Sequence, residues 1–245
     1  MQIYKTKTGE LFYISHDNYA IMQVLIVAAT QPEVEGLISD FGFSISDSDN
    51  NQLLTANRRL PAGSNCNLLI TGAGMVATAF ALGRHLATNK YDLIINLGIA
   101  GSFNRDIALG AVCEITEDTL VELGAEDDGT FITIDDLGFG ESRFIASYSL
   151  PASINIKKVT AVTVNTVHGN EASIQKLSSR VNADLESMEG AAFFYACKQA
   201  GVPCLQIRSV SNYVEKRNRA AWQIGPAIKN LNTFAAELLD DLLKD

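Results

Sequence analysis

The chain has 245 residues, a net charge of −9 and 47% hydrophobic residues, enough for one sizeable core. An acidic surplus without clustered Lys or Arg argues against a nucleic-acid partner, because phosphate-backbone binding rests on cations that displace counterions. No run of about eighteen apolar residues predicts a membrane helix, and four cysteines without paired spacing are expected as buried thiols of a cytoplasmic protein.

Residues 1–21 lack the apolar run and small-residue cleavage site of a secretory signal. They are expected as an extension of unknown role, leaving 22–245 as one domain. Residues 23–29, QVLIVAA, form the short continuous apolar run of a strand covered on both faces. In the TQPEVEGL that follows, Thr30 can cap a helix, Pro32 suits its first turn and Glu33 lies inside that turn. Glu33 is either a surface acid matched to the helix dipole or a ligand-facing group, since open α/β sheets bind ligands at the carboxyl ends of strands.

From Phe43 to Thr71, Asp-Asn and Pro-Ala-Gly turn signals separate short strands and predict a meander. The stretch 72–89 opens with two glycines and continues as an Ala-rich helix; a dinucleotide fingerprint is not complete there, because the third glycine is missing. Residues 92–97, DLIINL, predict a buried strand running into GIAGSF, where Gly98 and Gly101 either admit a ligand close to the backbone or only reverse the chain. A long strand is predicted after Gly110. The acidic, Gly-rich stretch that follows it is expected to lack regular structure, either folding over a site or meeting a second subunit.

Residues 158–165 predict a strand, and Asn170 can cap a helix reaching Arg180. The three histidines, His16, His85 and His168, show no paired spacing, which speaks against a metal; His168 is expected to face solvent or form a hydrogen bond. Residues 183–201 are expected as a helix closed by Gly201, with Glu189 at its mouth. The strand CLQIRSVSN follows, and a terminal amphipathic helix over 220–243 carries Trp222, Ile228, Leu231, Phe234 and Leu238 on its apolar stripe.

Six segments, IVAATQPEV, TGAGMVATAFALG, INLGIAGSF, VTVNTVHGN, SMEGAA and IRSVSN, together resemble in order and spacing the nucleoside phosphorylase and nucleosidase family, especially its methylthioadenosine nucleosidase-like branch. The resemblance implies a three-layer α/β/α fold with a mixed central sheet, nucleoside phosphorylase-like. It implies cleavage of the N-glycosidic bond of a purine nucleoside without a cofactor, by a homodimer or larger homo-oligomer. It assigns Glu33 as the acid that activates water and Glu189 as the carboxylate that holds the ribose hydroxyls. Met188 becomes the thioether against the sugar, Val167 a base contact, and Ser211 and Asn212 fall where the family uses Ser-Asp to position and protonate the base. Arg208, Ala100 and Gly101 complete the candidate set. Arg208 is expected to hold the acids ionised or to form a structural salt bridge.

Departures from the family pattern narrow the chemistry. Phosphorylases of the family place a phosphate-binding arginine in the first strand-to-helix loop, which here reads TQPE, so hydrolysis is expected. Adenine-releasing members carry Asp where this chain has Asn212; an amide can accept from N7–H and donate to a six-oxo group, which favours hypoxanthine-like bases. Ile99 replaces a Ser, and Ser187 replaces the first Glu of the EME pattern. Lys216, Arg217 and Arg219 are either a solvated basic turn or cations for a substrate carboxylate beyond the ribose. The competing functions are a methylthioadenosine/adenosylhomocysteine nucleosidase, a phosphorylase and a non-catalytic nucleoside-binding protein.

Overall fold

The computed structural model describes residues 2–5, 11–14, 22–45, 53–56 and 64–243. His16, the turn signals at 49–50 and 61–63, and most of residues 1–21 lie outside them. Strands β1 (Gln2–Lys5) and β2 (Leu11–Ile14) form an antiparallel pair of their own.

The main sheet starts from β3 (Gln23–Ala28), buried at every residue after Gln23. A 3-10 turn, Gln31–Val34, leads into α1 (Glu35–Phe41), closed by Gly42 at φ 60°. The expected meander is present: β4 (Ser44–Ile45) and β5 (Leu53–Thr55) pair antiparallel, and β5 pairs antiparallel with β6 (Asn65–Ile70). Helix α2 (Met75–Leu86) and strand β7 (Leu93–Ser102) follow, and β3 lies parallel to both β6 and β7.

Strand β8 (Val112–Leu120) ends in a stretch that does have regular structure, against expectation. Residues there form a hairpin of β9 (Gly124–Asp127) and β10 (Thr130–Thr133) around Asp128 and Gly129, at φ 40° and 91°. An Asp-Gly pair adopts that left-handed turn at low cost, so the local chemistry prevails over the acidic composition. Then come β11 (Arg143–Ile145), β12 (Lys157–Thr163) and α3 (Glu171–Ser178), whose N-cap Asn170 accepts from the Ala172 and Ser173 N–H groups as expected.

Residues 183–201 divide rather than forming one helix. Leu185–Ser187 is a short strand, β13, laid parallel to β12 and antiparallel to the end of β7, and α4 (Gly190–Ala200) begins only afterwards. Ladder partners on both edges outweigh helical propensity there. Strand β14 (Cys204–Tyr213) runs parallel to β7 and antiparallel to β8. A 3-10 turn, Arg219–Ala221, precedes α5 (Ile224–Leu242), so Trp222 stands before the terminal helix and not on it. Gln223 N–H donates to the Ser211 carbonyl at 2.7 Å, which ties this approach to the end of β14.

Successive partners β7, β14, β8, β12 and β13 lead back to β7, so one half of the mixed sheet curls into a closed ring. Helices cover both faces. Val24, Ile26 and Ala28 of β3 join one apolar cluster with Leu37 of α1 and Leu231 of α5; Leu25 and Val27 join another with Leu82 of α2 and Phe193 of α4. A strand whose alternate residues fill two cores reads as a continuous apolar run. The result is the expected three-layer α/β/α arrangement. All four cysteines are free and buried, and burial pushes the Cys66 thiol up to about 12 and Cys113 to about 11.

Candidate active site

The carboxyl ends of β3, β7 and β14 face one region, and the extended stretch Gly98–Gly101 in the last part of β7 backs two groups of side chains there. The first group centres on Glu33. Its Oε2 accepts from the Thr30 N–H at 3.0 Å and the Thr30 hydroxyl at 2.9 Å, while Oε1 accepts from the Ile99 N–H at 3.2 Å. Those bonds fix the carboxylate rather than leaving it a mobile surface acid. Burial raises the Glu33 carboxyl above its ordinary range, and the Arg208 charge opposes that rise without cancelling it.

Arg208, only 2% exposed, donates from Nη2 to Asn96 Oδ1 at 2.6 Å, and its Nε has no hydrogen-bond partner. It therefore acts on Glu33 as a buried charge, with no direct salt bridge among the described residues. Gly98 is needed between them: a Cβ there would lie 2.3 Å from Arg208 Nη1 and 3.1 Å from Glu33 Oε1. The chain does not reverse at Gly98, which lies within β7; the glycine is there for close approach.

Glu189 stands at the N-cap position of α4. Its Oε1 accepts from the Gly74 N–H at 2.9 Å, and its Oε2 accepts from the Met188 N–H at 3.2 Å. Gly74 aims that N–H from φ 93° and ψ 157°, a conformation that only glycine adopts readily. The Gly-Ala-Gly stretch that failed as a dinucleotide fingerprint thus presents a backbone donor to a carboxylate. The charge of Glu189 also helps raise the Glu33 carboxyl, so the two acids sense each other.

The second group is at the end of β14. Val210 pairs with Ala100 and Asn212 with Gly101, leaving Ser211 as an inserted residue that bends the strand. The Ser211 hydroxyl lies 2.9 Å from Asn212 Oδ1 and 3.2 Å from the Ala100 carbonyl, and Asn212 Nδ2 donates to the Tyr213 carbonyl at 3.0 Å. One Oδ1 lone pair and one Nδ2 hydrogen remain for a ligand. Gly101 leaves room for this amide, since a Cβ on it would sit 3.2 Å from Asn212 Nδ2.

The last part of β7 after Leu97 thus brings Glu33, Arg208, Ser211 and Asn212 together, and Gly74 brings in Glu189 and Met188. Val167 is 39% exposed and no hydrogen bond ties it to the others; only its neighbour His168 reaches β13. Thr30, Gly74, Asn96 and the Ile99 N–H were not anticipated as parts of the site. Backbone donors carry no side-chain signal, and Ile99 stood out only as a departure from the family's Ser.

The family model described as the phosphorylase superfamily matches residues 23–244. A futalosine hydrolase from Streptomyces coelicolor is 35% identical over 190 residues, covering 74% of this chain and 80% of that protein. A 5'-methylthioadenosine/S-adenosylhomocysteine nucleosidase from Helicobacter pylori superposes with a TM-score of 0.77 at 16% identity, covering 90% of this chain and 99% of that one. The native futalosine hydrolase of Helicobacter pylori superposes with a TM-score of 0.75 at 16% identity, covering 90% and 98%.

Proposed function

The chain belongs to the phosphorylase superfamily, and on that premise we propose that it is a nucleosidase that hydrolyses the N-glycosidic bond of futalosine and releases hypoxanthine, on the futalosine route to menaquinone. Cleavage of a ribosyl bond builds positive charge on the sugar and negative charge on the base, and the two groups of side chains suit those opposite needs. Glu33 takes a proton from the attacking water. A raised carboxyl is a better base than an ordinary one, and the charge of the buried Arg208 favours its ionised form. Glu189, held by Gly74, accepts from the ribose hydroxyls, with Met188 beside the sugar.

The observation that carries the choice of base is the Asn212 amide, oriented through Ser211 and Tyr213. N7 of the departing base takes its proton from solvent water, since an amide cannot supply one. The free lone pair of Asn212 then accepts from N7–H and its free hydrogen donates to a six-oxo group, whereas an adenine would oppose donor to donor. Water is the favoured acceptor of the ribosyl group because the TQPE loop offers no arginine for phosphate. Ala100 and Gly101 back the base through their contacts with Ser211 and Asn212. The same reading places the enzyme in the cytoplasm as a homodimer or larger homo-oligomer; no helix among the described residues is long and apolar enough to cross a membrane.

The test is a product assay across futalosine, inosine and methylthioadenosine, with and without phosphate. Hypoxanthine from futalosine without phosphate is the expected result. Adenine from methylthioadenosine instead would reassign the substrate, a phosphate-dependent rate would reassign the reaction, and binding without turnover would make this a nucleoside-binding protein.

A further inference from the structure

We propose that Glu186 and His168 form a positioning pair that holds the loop 164–170, and Val167 with it, against the purine base. The inference rests on the base being bound beside Val167, as in the proposed function. The Glu186 carboxylate is 3% exposed and spends both oxygens on one residue. Oε1 accepts from the His168 N–H at 2.8 Å, and Oε2 meets His168 Nδ1 at 2.6 Å.

The loop has little else to anchor it from this side. Residues 165–167 are exposed, and between Val164 and Leu177 no hydrophobic residue is buried, so apolar packing cannot fix the loop. Polar contacts hold its two ends: Val164 N–H donates to the Ser187 carbonyl at 3.0 Å, Asn165 N–H to the exposed Glu122 at 2.7 Å, and the Gly169 carbonyl accepts from Arg217 N–H at 3.0 Å. Among the described residues, Glu186 alone hydrogen-bonds the residue next to Val167 from inside the protein. Charge-assisted bonds of this kind are shorter and stronger than neutral ones and lose little to solvent when buried.

The placement of Glu186 in the chain gives the grip its purpose. It lies in β13, two and three residues before Met188 and Glu189 at the mouth of α4, so one continuous strand-to-helix segment carries the ribose-holding residues and the carboxylate that clamps the base loop. Sugar and base contacts are thereby kept in register. Burial raises the Glu186 carboxyl, the His168 contacts oppose that rise, and the nearby charge of Glu122 adds to it. The pair acts through Val167, and the assignment is one of positioning.

Calorimetry of hypoxanthine and adenine binding, with steady-state kinetics and thermal melting, tests the pair on the full chain. His168→Ala and Glu186→Ala are each expected to weaken base binding and raise KM about tenfold, the scale of one lost hydrogen bond to a charged group, with kcat changed far less. The double variant should be no worse than Glu186→Ala alone, which already removes both bonds, whereas His168→Ala leaves the backbone N–H bond to Glu186 in place. His168→Asn, whose amide can still donate to Glu186 from the Nδ1 position, should bind the base more tightly than His168→Gln, whose amide lies further out. That comparison also serves if the alanine variants do not fold. Folded alanine variants with unchanged affinity and KM, or equal affinities for Asn and Gln, overturn the pairing. A wild-type protein that binds neither purine overturns the base site itself, and the inference with it.

Discussion

Glu189 and Gly74, 115 residues apart in sequence, meet at 2.9 Å through a carboxylate oxygen and a backbone N–H. The contact gives a conformationally demanding glycine a function that spacing alone does not reveal. At φ 93° an L side chain is strained, at a cost of roughly 1–3 kcal/mol. A Cβ on Gly74 would meet nothing within 4 Å, so the strain acts on the backbone without a clash. Gly74→Ala is therefore expected to fold while turning its N–H away from Glu189. The expected reading in steady-state kinetics is a rise in KM of about tenfold, the worth of one charge-assisted bond. An unchanged KM would show that Glu189 does not need this donor.

For Glu33→Gln, turnover is expected to fall at least about a hundredfold, the scale of a general base, while base binding stays measurable. The wild-type pH profile carries a second check. Catalysis needs the ionised carboxylate, so the rate falls as pH drops through the folded pKa, which burial holds above the ordinary 4.5. The acid limb of kcat/KM should lie above pH 4.5 and be absent from the residual activity of the glutamine variant. A limb at or below the ordinary value would remove Glu33 from the base role.

Asn212→Asp should move the preference toward adenine nucleosides, because a protonated carboxyl donates to N7 where the amide cannot. Competition between inosine and methylthioadenosine reports the change directly. Discrimination of this kind rests on unpaired polar groups and is worth about tenfold or more. A preference that does not move would place base selection elsewhere.

Asp118 offers a stability prediction separate from catalysis. It is fully buried, accepting from the Thr163 hydroxyl at 2.8 Å and Gln206 Nε2 at 3.1 Å, and burial pushes its carboxyl up to about 6, against those bonds and the Arg208 charge. Between 3.8 and about 6 the folded chain holds a proton that the unfolded chain releases, so stability is greatest at the acid side and falls as pH rises through that window. The loss is on the order of 3 kcal/mol, from one proton and the size of the shift. Asp118→Asn should remove this slope. Gln206 Oε1, buried without a partner, can accept from the new amide once Gln206 turns over. Thermal melts from pH 4 to 7.5 check it: the variant should match or exceed the wild type at pH 7.5, and a parallel pH dependence in both would refute the assignment.

The sequence by itself determined most of the order of elements and pointed to the candidate site residues. Uninterrupted apolar runs at 23–29 and 92–97 mark strands buried on both faces, and Asn170 and Gly201 mark helix ends because capping is a local interaction. Glu33, Glu189 and Asn212 were legible because each lies where an element begins or ends. Tertiary structure decided what local pattern cannot encode. Leu185–Ser187 became a strand because β12 and β7 supply its ladder partners from elsewhere in the chain. The carboxyls of Glu33 and Asp118 are raised by desolvation, a property of the folded interior. The donors that fix the candidate base Glu33 and the candidate ribose ligand Glu189, the N–H groups of Ile99 and Gly74, are main-chain atoms common to almost every residue. Only the path of the backbone aims them, and that path is set by packing of two cores against one sheet.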